Sequence, residues 1–162
     1  STGFHSNGYS LLRKLIKESG YSFDDEVIKG TSIGEMLLEP TKIYVKDVME
    51  ILDSGINIKG LAHITGGGFY ENIPRILPSG TGADIYREKI PELKCYEFIK
   101  NLYSGEDREL YRVFNMGIGM IVVIDYTDTE GFKQFLKKAQ ITAYEIGKIT
   151  ANKEVRISGV DF

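Results

Sequence analysis

Three glycine-bearing segments hold the residues whose types and spacing suit chemistry. The first is Ala62-His63-Ile64-Thr65-Gly66-Gly67-Gly68, an apolar strand pattern that ends in three residues without a Cβ. Such residues take positive φ freely and let a ligand approach the backbone closely. Successive N–H groups in a turn of this kind form an anion nest, and a helix starting there adds about half a positive charge. Thr65 would offer a hydroxyl at the rim. Read alone, the run fits a phosphate cradle and a tight ligand-free turn equally well.

The second segment is Gly3-Phe4-His5-Ser6-Asn7-Gly8-Tyr9-Ser10, a turn into a helix start. A histidine there could donate to phosphate or move a proton near neutral pH. Its local sequence is also that of an ordinary capped helix start with an exposed histidine, which is the better reading without other information. The third segment is Phe114-Asn115-Met116-Gly117-Ile118-Gly119-Met120. Glycines inside an apolar strand mark a bulge or a close backbone contact, and tight sheet packing explains them most simply. Cys95 falls within a helical pattern and reads as a small buried hydrophobe, not a nucleophile. Asp24-Asp25-Glu26 reads as an exposed acidic loop before it reads as a Mg²⁺ site, and Lys137-Lys138 as a solvated helix face.

The elements that must position these residues alternate between helical and strand periodicity. Leu11, Leu12, Leu15 and Ile16 predict a helix capped by Ser6 or Asn7 and stopped by Gly20. Residues 21–32 read as loop. Thr41 to Val45 is a short strand candidate, followed by a helix on Val45, Val48, Met49 and Leu52 that ends near Gly55. A strand over Ile58 to Thr65 runs into the glycine triplet. After it, either Asn72 caps a helix with Pro74 in its first turn, or a helix begins at Gly68 and stops before Pro74. A weak strand over Ala83 to Arg87 precedes a helix from Leu93 to Gly105 and a short one over Glu106 to Arg112. Gly117 to Tyr126 is a buried strand, and Phe132, Phe135, Leu136 and Ala139 mark another helix. Ile141 to Ile149 and Val155 to Ile157 predict a closing antiparallel pair. The expected fold is α/β: a layered sandwich with a mixed, mostly central sheet flanked by helices.

Composition narrows the function classes. The chain has 162 residues, of which 18 are glycine, while only four are proline. That length makes one domain over 1–162 and buries about 70% of the unfolded surface, so no staple is required. The net charge is −3, without the basic surplus that nucleic acid demands. The longest apolar run, Met116 to Ile124, is half of a membrane span, so no membrane partner is expected. One cysteine, no secretory leader and the absence of a disulfide pair make the cytoplasm the default compartment. His5 and His63 lie in no zinc-type spacing, so no metal site is expected in this chain. Gly80-Thr81-Gly82 and Gly117-Ile118-Gly119 each lack the third glycine of a dinucleotide fingerprint, and there is no P-loop. The start Ser1-Thr2-Gly3, without an initiator Met, is expected of a piece of a larger protein.

Taken together, five ordered blocks resemble the C-terminal domain of the phosphoribosylformylglycinamidine cyclo-ligase (aminoimidazole ribonucleotide synthetase) family. They are Gly3-Phe4-His5-Ser6-Asn7-Gly8-Tyr9-Ser10-Leu11, Leu37-Leu38-Glu39-Pro40-Thr41-Lys42-Ile43-Tyr44-Val45-Lys46 and Gly60-Leu61-Ala62-His63-Ile64-Thr65-Gly66-Gly67-Gly68. The last two are Glu71-Asn72-Ile73-Pro74-Arg75-Ile76-Leu77-Pro78 and Tyr111-Arg112-Val113-Phe114-Asn115-Met116-Gly117-Ile118-Gly119-Met120. Residues 79–105 resemble the family only loosely. Selenophosphate synthetase, thiamine-monophosphate kinase and a hydrogenase maturation protein share the fold but differ around the strand-to-glycine loop. They remain the alternative, as does a non-catalytic binding module.

The resemblance implies a two-domain, homodimeric enzyme of de novo purine synthesis that closes an imidazole ring on formylglycinamidine ribonucleotide using ATP. It implies that the Mg²⁺ ligands and a nucleotide-binding lysine belong to an N-terminal ATP-binding domain absent from this chain, which would be inactive alone. The face that this domain covers is then expected to be unusually apolar. It places His5 in a proton-transfer or phosphate-stabilising role. It assigns substrate or phosphate binding to Asn7, Gly8, Thr65, Gly66, Gly67, Gly68, Asn115, Gly117 and Gly119.

Overall fold

The computed structural model describes residues 1–161, and it is a mixed α/β structure. In chain order the elements are α1 (Tyr9–Ser19), β1 (Glu26–Ile28), β2 (Thr31–Ser32), α2 (Ile33–Leu38), α3 (Val45–Leu52) and β3 (Ile58–His63). They continue through α4 (Gly68–Asn72), β4 (Gly82–Ile85), α5 (Lys94–Leu102), α6 (Asp107–Val113) and β5 (Met120–Ile124). The last are α7 (Thr129–Lys138), β6 (Gly147–Thr150) and β7 (Val155–Ile157).

The strands are divided among three small sheets. β1 pairs with β2, β3 pairs antiparallel with β5, and β4 lies between β6 and β7. The expected closing pair does not form. β6 runs antiparallel and β7 parallel to β4, so the last two strands flank an earlier one instead of each other.

Other departures have local causes. Residues 21–32 contain the β1–β2 pair, and an unforeseen helix, α2, follows it. Ser32 accepts from the Glu35 N–H at 3.2 Å while the Glu35 carboxylate accepts from the Ser32 N–H at 2.8 Å, a complete capping box. The stretch Thr41 to Val45 is not a strand, because Tyr44 caps α3 and its carbonyl accepts from the Val48 N–H. After the glycine triplet, the helix begins at Gly68 and a 3₁₀ turn over Pro74–Ile76 takes over. β5 is half-buried along its length, since its ribbon with β3 is only two strands wide.

One core cluster joins Phe4, Leu12 and Ile16 to Ile33, Ile64, Phe69, Phe114 and Ile157. A smaller cluster of Ile51, Phe132 and Leu136 takes in Ile58, Val122 and Ile124 from the β3–β5 ribbon. The ribbon is thus held between both, and its end beside His63 and Met120 faces the predicted site residues.

Close approach of α4 to α6 fixes the loop before α4. Gly68 has φ +53, and a Cβ there would run into the Tyr111 carbonyl oxygen. Gly66 has open space where its Cβ would stand. Gly68→Ala is therefore expected to cost about 2–4 kcal/mol, and Gly66→Ala within about 0.5 kcal/mol. Urea denaturation of the two variants checks this, and equal stabilities would refute it.

Candidate functional site

The His5 turn is strained and held from below. His5 and Ser6 both lie in the left-handed region, with φ of 51° and 60°. Non-glycine residues there cost on the order of 1 kcal/mol each and persist where surroundings compel them. Here Phe4 supplies the compulsion. It is 1% exposed and packs on Tyr96 and Phe114 with ring centroids 5.1 and 5.6 Å away. The Asn7 amide serves the turn itself, donating to the Phe4 and His5 carbonyls at 3.3 and 3.0 Å. Neither Ser6 nor Asn7 caps α1; Gly8 does, in a left-handed conformation against the Phe114 ring.

The exposed histidine expected from the local sequence is buried, at 5% exposure. Its Nε2 accepts from the Thr2 N–H at 3.1 Å and faces the Thr2 hydroxyl at 2.9 Å and the Lys42 N–H at 3.4 Å. An accepting Nε2 places the proton of the neutral ring on Nδ1. That Nδ1 is buried without a partner among the described residues. Burial, ahead of the positive charges of the Ser1 amino group, His63 and Lys42, lowers His5 from 6.5 to about 4. At neutral pH it is an uncharged donor, not an imidazolium.

Asn115 is fully buried, and both ends of its amide are hydrogen-bonded. Nδ2 donates to the Gly3 carbonyl at 2.9 Å, and Oδ1 accepts from the Gly117 N–H at 2.9 Å and the Tyr96 hydroxyl at 3.0 Å. Gly119 packs against the His5 turn: a Cβ there would meet the Tyr44 hydroxyl and lie 3.1 Å from His5 Cε1. The Gly119 carbonyl accepts from the Ile64 N–H at 2.9 Å, which carries the β3–β5 pairing one step further. The Thr65–Gly68 loop and the Gly117–Gly119 segment therefore leave the same end of the ribbon, with the His5 ring against Gly119.

Within the loop, the Gly68 N–H donates to the Thr65 carbonyl at 2.9 Å. The buried Asn72 amide supports it by donating to the Thr65, Gly66 and Gly68 carbonyls at 3.3, 3.2 and 2.8 Å. With the carbonyls drawn toward Asn72, Gly66 stands exposed at the tip. The sequence offered Asn72 as a helix cap and missed this role; its place four residues after Gly68 was the available signal. Tyr44 was also missed. Its ring lies between His5 and His63, at 6.0 and 5.8 Å, and Lys42 Nζ stands 5.3 Å from its centre while pairing with Asp47 at 2.7 Å. Cys95 is buried as expected, and burial pushes its thiol up to about 11, which makes it a poor nucleophile.

His5 should make stability depend on pH. Its folded value lies below the unfolded one, so between about pH 6.5 and pH 4 the unfolded chain takes up a proton that the folded chain refuses. Stability is expected to be full above pH 6.5 and to fall by on the order of 2–3 kcal/mol toward pH 4. Denaturant midpoints across this range, compared between the wild type and His5→Gln, check it; identical slopes would refute it.

Residues 1–160 match the family of the AIR synthase related protein, C-terminal domain. The chain is 51% identical over 151 residues to a phosphoribosylformylglycinamidine cyclo-ligase of Caldanaerobacter subterraneus, covering 92% of the chain and 44% of the relative. It is 45% identical over 157 residues to that of Staphylococcus epidermidis, covering 97% and 45%. To that of Exiguobacterium sibiricum it is 43% identical over 162 residues, covering 99% and 47%. The chain thus spans just under half the length of these relatives. A match over residues 1–160, nearly the whole chain, makes it a member of the AIR synthase related protein, C-terminal domain family.

Proposed function

We propose that this chain is the C-terminal half of an ATP-dependent cyclo-ligase that converts formylglycinamidine ribonucleotide to aminoimidazole ribonucleotide in de novo purine synthesis. The observation that carries the reading is that relatives of one printed name align over nearly the whole chain at 43–51% identity. That likeness favours the cyclo-ligase over the selenophosphate synthetase, thiamine-monophosphate kinase and binding-module alternatives.

In this reading the ribbon end forms one wall of a cleft. The loop Thr65–Gly68 binds phosphate through its backbone, with Asn72 holding the carbonyls away. Asn7, Gly8, Asn115, Gly117 and Gly119 shape the wall beneath the substrate. His5 acts as an uncharged donor near the reacting atoms. ATP brings the activating phosphoryl group, and Mg²⁺ neutralises charge on it. Among the described residues no three His, Cys, Asp or Glu side chains gather to hold a metal. The reading assigns the metal ligands to an N-terminal domain, and no step here is routed through the ion. The reading includes a homodimer of the full-length enzyme, working in the cytoplasm. Among the described residues no helix is long and apolar enough to cross a membrane.

A strip of exposed apolar side chains supports the assignment of a partner domain. Leu38 and Ile43 are each 80% exposed, Val45 68% and Met49 52%. They run from the end of α2 to the outer face of α3, beside the Lys42–Tyr44 segment that packs on His5. Single exposed apolar residues are ordinary, but a run of them marks an interaction surface.

Two outcomes are expected. The 162-residue chain alone turns over no ATP with formylglycinamidine ribonucleotide, whereas a protein of full family length does. In the latter, His5→Ala and Gly67→Val each lower kcat/KM at least about 100-fold. Coupled ADP-release assays check this; turnover by the chain alone, or unchanged variants, would overturn it. The chain alone should also self-associate at high concentration, and Leu38→Glu with Ile43→Glu should make it monomeric. Sedimentation velocity decides, and a monomeric wild type counts against the strip as a covered face.

A further inference from the structure

Hydrogen-bond donors crowd the surroundings of Gly119. Two buried polar atoms without partners among the described residues belong to rings beside it: His5 Nδ1 and the Tyr44 hydroxyl. Both rings approach the same spot, since a Cβ on Gly119 would clash with the Tyr44 hydroxyl and lie 3.1 Å from His5 Cε1. His5 Nδ1 carries the ring proton, because Nε2 is already accepting. The neighbouring acceptors are engaged elsewhere. Asn115 Oδ1 takes the Gly117 N–H and the Tyr96 hydroxyl, the Gly119 carbonyl takes the Ile64 N–H, and Asp47 takes Lys42. Leaving a buried donor unmade costs about 1–3 kcal/mol, so a pair of them at one spot calls for a shared acceptor.

We propose that Tyr44 and His5 are paired ligand-binding groups whose O–H and Nδ1–H donate to one oxygen atom of a bound formamide or similar carbonyl group above Gly119. Both donors are uncharged at neutral pH. Burial keeps His5 neutral, and burial with the Asp47 charge raises Tyr44 above its usual range. Two uncharged donors in a desolvated spot suit a neutral carbonyl oxygen that gains negative charge during reaction, better than a phosphate dianion that arrives charged. Tyr44 is half-buried, so the side chain that supplies the hydroxyl also covers the spot and must turn to admit the ligand. Gly119, having no Cβ, is then the residue that lets the Tyr44 hydroxyl stand beside the His5 ring. The inference deepens the proposed cyclo-ligase reading and rests on it only for which substrate brings the oxygen.

The test uses the ¹⁵N-labelled chain, with N-methylformamide and inorganic phosphate as separate probes. N-methylformamide is expected to shift the His5 Nδ1 resonance, and Tyr44→Phe to weaken that binding at least about fivefold. Phosphate is expected to leave Nδ1 unmoved. The phenylalanine variant removes one oxygen and keeps the ring; Gly119→Ala keeps the phenol but drives it off the spot, and should give the same loss. Shifts of Nδ1 with phosphate but not formamide, or undiminished formamide binding in both variants, would overturn the inference. In a protein of full family length, Tyr44→Phe should lower kcat about tenfold or more while KM for ATP stays unchanged. An active wild type with an equally active Tyr44→Phe sinks the inference and spares the cyclo-ligase reading. An inactive wild type sinks that reading, and the formamide titration still decides the inference.

Discussion

The buried amide of Asn115 is the interaction on which the rest of the site depends. It is fully buried, and it ties the Gly3 carbonyl, the Tyr96 hydroxyl and the Gly117 N–H into one network. Those three groups come from the segment before α1, from α5 and from the approach to β5. A buried amide bonded at both its oxygen and its nitrogen is favourable on balance, whereas one stripped of those partners costs more than an apolar residue would. The network therefore works as a register lock, since sliding any one segment would strand polar atoms in the core.

From that lock the His5 turn follows. Once Gly3 is pinned and Phe4 is driven between Tyr96 and Phe114, the chain has few residues in which to reach α1. It does so through two left-handed residues, His5 and Ser6, and then Gly8. The burial of Phe4 contributes on the order of 2–3 kcal/mol, comparable to the strain of the two residues after it. The same geometry buries the His5 ring and directs its Nε2 toward backbone N–H groups. The neutrality of His5 is thus a consequence of packing two residues away, not of any property of its own segment.

This explains what was legible in the sequence and what was not. α1, α5 and α7 followed from apolar periodicity, and Gly20 was read correctly as the left-handed stop of α1. These are local signals. The α2 helix was legible too, through Ser32 and Glu35, but its six residues carry too little periodicity to stand out. Thr41 to Val45 has the residue types of a strand, and β-propensity without a pairing partner decides little. The mistaken β6–β7 pairing has the same origin. Nothing in the residues that join β6 to β7 says that β4, about seventy residues earlier, lies between them. At the site, the glycine and histidine segments could be picked out by type. The burial of His5 and the supporting parts of Asn72 and Tyr44 could not, because each depends on contacts from distant segments.

The glycine excess divides along the same line. Gly68 is required because α4 presses on α6, and Gly119 because Tyr44 presses on the ribbon. At both positions the neighbour is protein, so their lack of a Cβ reports packing. Gly66 has open space around it and stands exposed beside them. No internal contact demands a glycine there, and the side of the loop it presents is the one that Asn72 has cleared of carbonyls. Steric need inside the fold therefore accounts for Gly68 and Gly119. The absence of such need at the loop tip leaves Gly66 open to the phosphate-binding role proposed for that loop.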